Sequence, residues 1–246
     1  MNGLWFAVCA AGAFAAAKLC IILFNKVPAN WLCDYGEQPS DKLYGIRLSF
    51  RPHGIVMALI LTASFLGMYA QYSGGSFYFF AGCFVSVILL LIASADYRYS
   101  IIPDQFILAL LLTVLAINGY DLLSGQKIFY SSWLSPILGA AAGSALLLAL
   151  GFAGQLFYKK EVLGFGDVKL FGVVGLLTGF PNLFLVFLLT IFSAFFHILF
   201  LLFRKKITKD LYLPLGPYIC LALLLFLAFH RQINCFADWY LSLLNL

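Results

Sequence analysis

The stretch FVSVILLLIASAD, residues 84–96, joins an unbroken apolar run to a single carboxylate. Extended back to residue 77, the run approaches the length of about 20 apolar residues that a helix needs to cross the hydrocarbon core of a membrane. Asp96 then falls where the helix meets the polar boundary, and a carboxylate kept at such a place is a functional candidate. The stretch predicts a membrane helix that ends on a reactive group.

The composition of the whole chain favours the same class of protein. Of 246 residues, 63% are hydrophobic and 10% are charged, with a mean hydropathy of +1.00. A soluble domain carries about 25% charged residues, and surface-to-volume scaling would leave too much of this chain's apolar surface in water. We therefore expect an all-α integral membrane protein. The net charge of +5 indicates basic cytoplasmic loops, and no basic patch interleaved with aromatic residues indicates nucleic-acid binding.

Eight apolar segments predict a polytopic bundle of about eight transmembrane helices. The segments are 3–24, 54–72, 77–95, 105–122, 133–158, 168–180, 182–203 and 213–230. The sixth is short, because Gly179-Phe180-Pro181-Asn182 interrupts the apolar run. No internal repeat or low-complexity linker divides the chain, so residues 1–246 are predicted to form a single integral-membrane domain.

The Lys and Arg residues predict how these helices are oriented. Twelve of the 15 lie in the loops after segments one, three, five and seven or close by, and two, Lys127 and Arg231, lie on the other side. Positively charged loops stay in the cytoplasm, so both termini are predicted to lie outside, and the loop 25–53 inside. Asp96 and Asp167, which precedes segment six, then lie at the same cytoplasmic boundary.

Asp96 and Asp167 also differ from the other acidic residues in their local sequence. The others fall in predicted loops or at helix ends, Asp121 among them. Asp167 closes the turn GFGD, residues 164–167, whose glycines allow positive φ and close approach of another chain. For a single aspartate, a structural role at a helix end, stabilised by the helix dipole, is as good an explanation as a functional role. Two matched aspartates favour a shared site.

The stretch DYRYSIIPD, residues 96–104, predicts the start of the next helix. Pro103 suits the first position of a helix. Asp104 is then predicted to be an early helical residue or a cap rather than a catalytic group.

Two carboxylates within hydrogen-bonding distance share one proton, because both cannot ionise comfortably. The ionised carboxylate can take a proton from a water molecule, and the protonated one can polarise a peptide carbonyl. This is the chemistry of an aspartyl protease, which needs no metal and no covalent intermediate.

Three motifs resemble the type IV prepilin peptidases, GxGD-type aspartyl proteases of bacterial membranes. They are GFGDVKL, the upstream D-x6-PD pattern, and LPLGPYICLALLL at residues 213–225. The resemblance implies that Asp96 and Asp167 are the catalytic pair and that residues 77–230 form the peptidase core. The residues that it implies to shape the site are Pro103, Asp104, Gly164, Gly166, Lys169, Pro214, Gly216 and Pro217.

The resemblance also implies a substrate and a location. Family members cut the short basic leader from prepilin and pseudopilin precursors at the cytoplasmic face of the bacterial inner (plasma) membrane. The expected partners are such precursors and the lipid bilayer, with no nucleic acid. Asp34, Glu37 and Asp41 are candidate contacts for a basic leader, although scattered acids of this kind are more often simply solvated.

The chain departs from many family members in the loop 25–53. Those members also methylate the new N-terminus with S-adenosylmethionine and carry paired CxxC zinc motifs after the first helix. This loop holds one cysteine, Cys33, whereas a zinc site of that type needs four. We expect a peptidase that requires no metal or cofactor, with N-methylation by S-adenosylmethionine as an alternative.

Other classes of function remain open alternatives. Paired acids and a broken helix also suit a small membrane transporter, and the chain also suits an inactive assembly factor or a protease with other membrane substrates. His197 is interpreted as a hydrogen-bonding residue of the helix bundle. Three scattered histidines without HExxH do not indicate a metal hydrolase.

Overall fold

The chain folds into α-helices in a computed structural model that describes residues 3–33, 44–72, 76–130, 132–159, 163–204 and 213–243. The helices are α1 Gly3–Lys26, α2 Ile55–Tyr72, α3 Phe77–Tyr99, α4 Asp104–Ser124, α5 Ser135–Tyr158, α6 Phe165–Thr178, α7 Asn182–Phe203 and α8 Gly216–Leu243. The described ranges contain no β-strand. The predicted all-α class is confirmed.

Seven of the helices are long and apolar enough to cross a membrane, and α6 is not one of them. Its 14 residues extend over roughly 21 Å at 1.5 Å per residue, whereas the hydrocarbon core is about 30 Å thick. The predicted bundle of about eight helices with a short sixth helix is confirmed, and seven of the eight helices in the described residues are of spanning length. The predicted break is confirmed, because α6 ends at Thr178 and Gly179 takes a φ of +70° before α7 begins.

Three helices have a boundary that differs by three residues or more from the predicted one. Helix α3 continues to Tyr99 instead of ending at 95, and the Ser100 N–H still donates to the Asp96 carbonyl at 2.7 Å. Helix α6 begins at Phe165 instead of 168, and α8 occupies Gly216–Leu243 instead of 213–230. Apolar runs mark only the part of a helix that faces lipid, whereas backbone hydrogen bonding continues through polar residues beyond it.

The chain divides into two compact units, and α3 and α8 contribute residues to both. The first unit comprises residues 1–27, 45–87 and 223–246. In it α2 and α8 touch where Gly67 leaves no room for a side chain, because a Cβ there would lie 2.6 Å from the Ala228 Cβ. Buried hydroxyls of Ser64 and Ser86 hydrogen-bond each other at 3.0 Å. Small residues thus set the close packing of this unit.

Helix α8 is interrupted at Phe229, which has φ −136° and ψ 21°. Backbone carbonyls near the interruption are met by side chains from α2. The Gln71 amide donates to the Ala228 carbonyl at 3.1 Å, and the Tyr72 hydroxyl donates to the Leu227 carbonyl at 3.4 Å. Because an unsatisfied carbonyl in an apolar surrounding costs several kcal/mol, these two side chains stabilise the bend.

The second unit comprises residues 28–44 and 88–222, with α6 packed among α4, α5 and α7. Helices α5 and α6 approach until their backbones touch. A Cβ at Gly175 would lie 2.2 Å from the Gly139 carbonyl oxygen, and a Cβ at Gly143 would lie 2.8 Å from that of Phe171. Glycines at a helix crossing permit this distance, and the crossing fixes the position of α6.

The connection after α6 is held by hydrogen bonds to the segment before α5. The Phe180 N–H donates to the Ser135 carbonyl at 3.1 Å, and the Ser135 hydroxyl donates to the Phe180 carbonyl at 2.5 Å. The Asn182 amide donates to the Phe129 carbonyl at 2.6 Å. These bonds satisfy backbone groups where the short helix ends.

Candidate active site

Asp96 lies in the last turn of α3 and is buried, with 4% of its surface exposed. Its Oδ2 accepts a hydrogen bond of 2.8 Å from the backbone N–H of Gly216. Gly216 is the first residue of α8, where N–H groups have no acceptor within their own helix. A Cβ at Gly216 would lie 2.5 Å from the same carboxylate oxygen, so glycine is required for this approach.

Asp167 lies in the first turn of α6 and is also buried, with 7% exposed. The helix begins there because Gly164 is extended, with φ −71° and ψ 141°, and its carbonyl accepts the Asp167 N–H at 3.1 Å. The Asp167 Oδ1 is buried and has no hydrogen-bond partner among the described residues. Carboxylates in such surroundings favour the protonated form.

The two carboxylates act on each other electrostatically. The pKa of the Asp167 carboxyl is raised to about 7. Burial is the main cause, and the negative charge of Asp96 contributes in the same direction. A neighbouring carboxylate has this effect only at short range. The structure thus brings together the two aspartates that the sequence singled out, in one compact unit.

Ile102, in the stretch that follows Asp96, lies close to residues of the other two motifs. A Cβ at Gly166 would lie 3.1 Å from the Ile102 Cβ, and a Cβ at Gly216 would lie 3.1 Å from the Ile102 Cδ1. Ile102 therefore lies between the GFGD turn and the start of α8. Sequence reasoning missed it, because an isoleucine before Pro103 carries no chemical signal.

The part of the chain that holds both aspartates matches a known family. The match covers residues 83–202 and the family is described as the type IV leader peptidase family. This part of the chain is therefore similar to the type IV leader peptidase family.

Curated proteins are also similar to much of the chain. The chain is 32% identical over 163 residues to the "Prepilin leader peptidase/N-methyltransferase" of Aeromonas salmonicida (strain A449), which is 66% of this chain and 52% of that protein. It is 29% identical over 165 residues to the Escherichia coli (strain K12) protein of the same name, covering 66% of each. A Vibrio cholerae relative of that name is 35% identical over 88 residues, 36% of this chain and 34% of that protein.

The match to the Aeromonas relative thus spans about half the length of that protein. No solved structure matches the chain.

Within the segment that matches the family, Asp104 and Lys169 form an ion pair. The Lys169 Nζ lies 2.8 Å from the Asp104 Oδ1 and 2.9 Å from its Oδ2, and both side chains are just over one third exposed. The prediction that Asp104 is an early helical residue is confirmed, because it is the first residue of α4 and Pro103 precedes it as the N-cap. The pair joins α4 to α6, and Lys169 lies two residues after Asp167. The sequence did not predict that Asp104 and Lys169 would pair.

The third motif supplies the start of α8. Pro214 is buried ahead of the helix, and Pro217 is its second residue, where a missing N–H leaves no helical bond unmade. One turn later the Cys220 thiol interacts electrostatically with both carboxylates. Asp34, Glu37 and Asp41 lie outside the described residues, and the prediction that they contact a basic leader stays a prediction.

Two other polar residues were interpreted from the sequence. His197 Nδ1 and the Tyr218 hydroxyl are hydrogen-bonded at 2.5 Å, which confirms His197 as a hydrogen-bonding residue. Asp121 lies in the last turn of α4, which confirms its prediction as a helix-end residue, and its side chain is fully buried. Among the described residues, no three His, Cys, Asp or Glu side chains are grouped to hold a metal.

A mainly apolar cleft lies beside the turn that carries Asp167. Helix α5 and the start of α6 form its walls. The residues that line it include Gly151, Phe152, Gln155, Leu163, Phe165 and Val168. The cleft belongs to the same compact unit as the two aspartates.

Proposed function

We propose that the chain is an aspartic endopeptidase that removes the leader from prepilin-like precursors at the cytoplasmic face of the bacterial inner membrane. The observation that carries this proposal is the pair of buried carboxylates, Asp96 and Asp167, delivered to one site by two different helices. The printed names of the relatives support the choice of substrate.

The pair has the requirements for peptide hydrolysis without a metal. One carboxylate takes a proton from a water molecule, and the resulting hydroxide attacks the carbonyl carbon of the scissile peptide. The other, protonated, donates its proton toward the carbonyl oxygen, which gives a neutral tetrahedral intermediate. The C–N bond then breaks as a proton moves to the leaving nitrogen, and the two carboxyls again share one proton.

The surroundings of the pair suit a substrate that is partly apolar. A precursor of this class has a short basic leader followed by an apolar helix. The cleft beside Asp167, lined by residues such as Phe152 and Phe165, offers an apolar surface to that helix. With both termini outside, as the charge distribution predicts, the pair faces the side on which the leader is found.

The peptidase step calls for no metal and no organic cofactor. N-methylation would require S-adenosylmethionine, and the relatives carry both activities in their names. Because the match covers about half of the Aeromonas relative, we assign the peptidase step and leave methylation to the measurement below.

The test is co-expression with a candidate precursor that has a short basic leader and an apolar helix. Leader removal is followed by gel shift, and the mature N-terminus is read by mass spectrometry. We expect Asp96→Asn and Asp167→Asn each to lower cleavage at least about 100-fold, since each removes an acid–base group. The matched control is Asp121→Asn, which changes the third buried aspartate and should still cleave.

The outcomes separate the competing functions. Cleavage by both aspartate variants at the wild-type rate would refute the catalytic assignment. A well-folded wild type that cuts none of several precursors would favour a transporter or an inactive assembly factor. A mature N-terminus heavier by one methyl group would establish the second activity.

A further inference from the structure

The two aspartates have different hydrogen-bonding surroundings. Asp96 accepts the Gly216 N–H at the start of α8, where the positive end of the helix dipole favours a negative charge. A hydrogen bond from a backbone N–H to a carboxylate also stabilises its ionised form. Both effects favour the ionised form of Asp96.

Asp167 has weaker support for a negative charge. Its Oδ2 lies against Gly164, whose backbone favours the charged form, but burial and the charge of Asp96 act more strongly in the opposite direction. Its Oδ1 is buried and unpartnered among the described residues. A buried oxygen without a donor is suited to carrying a proton itself.

Resting on the function proposed above, we propose that the Gly216 N–H fixes Asp96 as the base that takes the proton from water, and leaves Asp167 as the acid that protonates the peptide carbonyl. Water loses one proton to Asp96 and forms the new C–O bond, while the Asp167 proton passes to the carbonyl oxygen. Gly216 is a positioning residue, since it acts through Asp96 and touches no reacting atom.

The other groups around Asp96 leave this division intact. From α8 the neighbouring titratable group is the Cys220 thiol, which interacts electrostatically with both carboxylates. From the segment between α3 and α4 the neighbour is the apolar side chain of Ile102. From α6, Asp167 itself faces Asp96, and Lys169 is paired with Asp104.

The first test is the pH dependence of cleavage in Gly216→Ala. The added Cβ would lie 2.5 Å from the Asp96 Oδ2, so the carboxylate must leave its N–H donor. We expect the acidic limb of kcat/KM to move up by about one pH unit, while the alkaline limb, set by Asp167, stays in place. Gly119→Ala in α4 is the matched control, because its Cβ would meet nothing within 4 Å. A shift confined to the alkaline limb, or no shift, overturns the assignment.

The second test needs no substrate and no folded Gly216 variant. Infrared spectroscopy of the purified protein at pH 6 detects the C=O stretch of protonated carboxyl groups. The band intensity lost in Asp167→Asn should be retained in Asp96→Asn, with Asp121→Asn used to assign the contribution of the remaining buried aspartate. Loss of the band in Asp96→Asn alone, or no difference between the two variants, overturns the proposal.

The two tests separate failure of the inference from failure of the function. If no precursor is cut but the infrared difference belongs to Asp167, the charge assignment stands and the peptidase proposal falls. If precursors are cut and the difference belongs to Asp96, the peptidase proposal stands and the division of roles falls.

Discussion

Replacing Gly175 with alanine tests whether the crossing of α5 and α6 holds the site together. The new Cβ would lie 2.2 Å from the Gly139 carbonyl oxygen, whereas ordinary contacts begin at 3.4 Å. The two helices must therefore separate by about 1.2 Å, since a backbone atom, unlike the end of a side chain, has no rotamer to change. Asp167 lies on α6 and has to move with it.

Two consequences follow from a separation of that size. Overpacking of this kind costs about 1–3 kcal/mol, which lowers the apparent melting temperature by about 2–12 °C for a chain of this length. A misplacement of about 1 Å at a catalytic group lowers the rate about 100-fold. Melting in detergent and cleavage of a precursor measure the two effects separately.

Gly119→Ala provides the matched control for Gly175→Ala. It makes the same change in a helix of the same compact unit, where the Cβ meets open space. Alanine is the better helix former, so this variant should be as stable as the wild type or slightly more so. If Gly175→Ala melts and cleaves as Gly119→Ala does, the backbone contact at the crossing does not position the site.

Three further predictions follow from other contacts. Asp104→Lys and Lys169→Asp should each slow cleavage, and the double variant should recover most of the rate. The melting temperature should change little, because a partly exposed ion pair contributes about 0.2–1 kcal/mol to stability. If the double variant does not recover the rate, the pair does not position the site. Cleavage should decline as pH rises through about 7, where Asp167 loses its proton; a rate that still increases at pH 8 contradicts the need for an acid there. Gln71→Leu should cost about 1–3 kcal/mol in stability, because the buried Ala228 carbonyl loses its donor; unchanged melting would show that the carbonyl finds another partner.

Apolar run length predicted most of the helices, because lipid contact imposes a composition that a reader can count. Helix ends were predicted less well. Asp96 was expected just beyond α3 and lies inside it, because hydrogen bonding continues after the apolar run has stopped. The eighth helix was predicted to end at 230 and continues to Leu243 past an interruption at Phe229. No proline or glycine next to Phe229 marks this interruption in the sequence.

The aspartates were found because a carboxylate beside an apolar run is chemically conspicuous. The contacts that hold them in place are not conspicuous in the sequence. Ile102 and the Gly216 N–H act through shape and backbone geometry, and the partner of Lys169 is 65 residues away along the chain. Such contacts depend on which helices become neighbours, and the periodicity of a single segment carries no information about its neighbours.

The shortness of α6 changes how the connection between α4 and α5 should be regarded. With Asp167 at one boundary, the helix ends roughly 17 Å deeper at 1.5 Å per residue, well short of the far side of a core of about 30 Å. Backbone groups at that depth need partners. Ser135 at the start of α5 supplies them to Phe180, and the Asn182 amide satisfies the Phe129 carbonyl of the connection, where Phe129 and Tyr130 are themselves buried. Gly125 and Lys127 give this connection the composition of an external loop. Its buried residues nevertheless pack at the end of the short helix. An epitope or a fluorescent tag inserted between Phe129 and Ser135 would therefore disrupt the fold, although insertions into loop tips are usually tolerated.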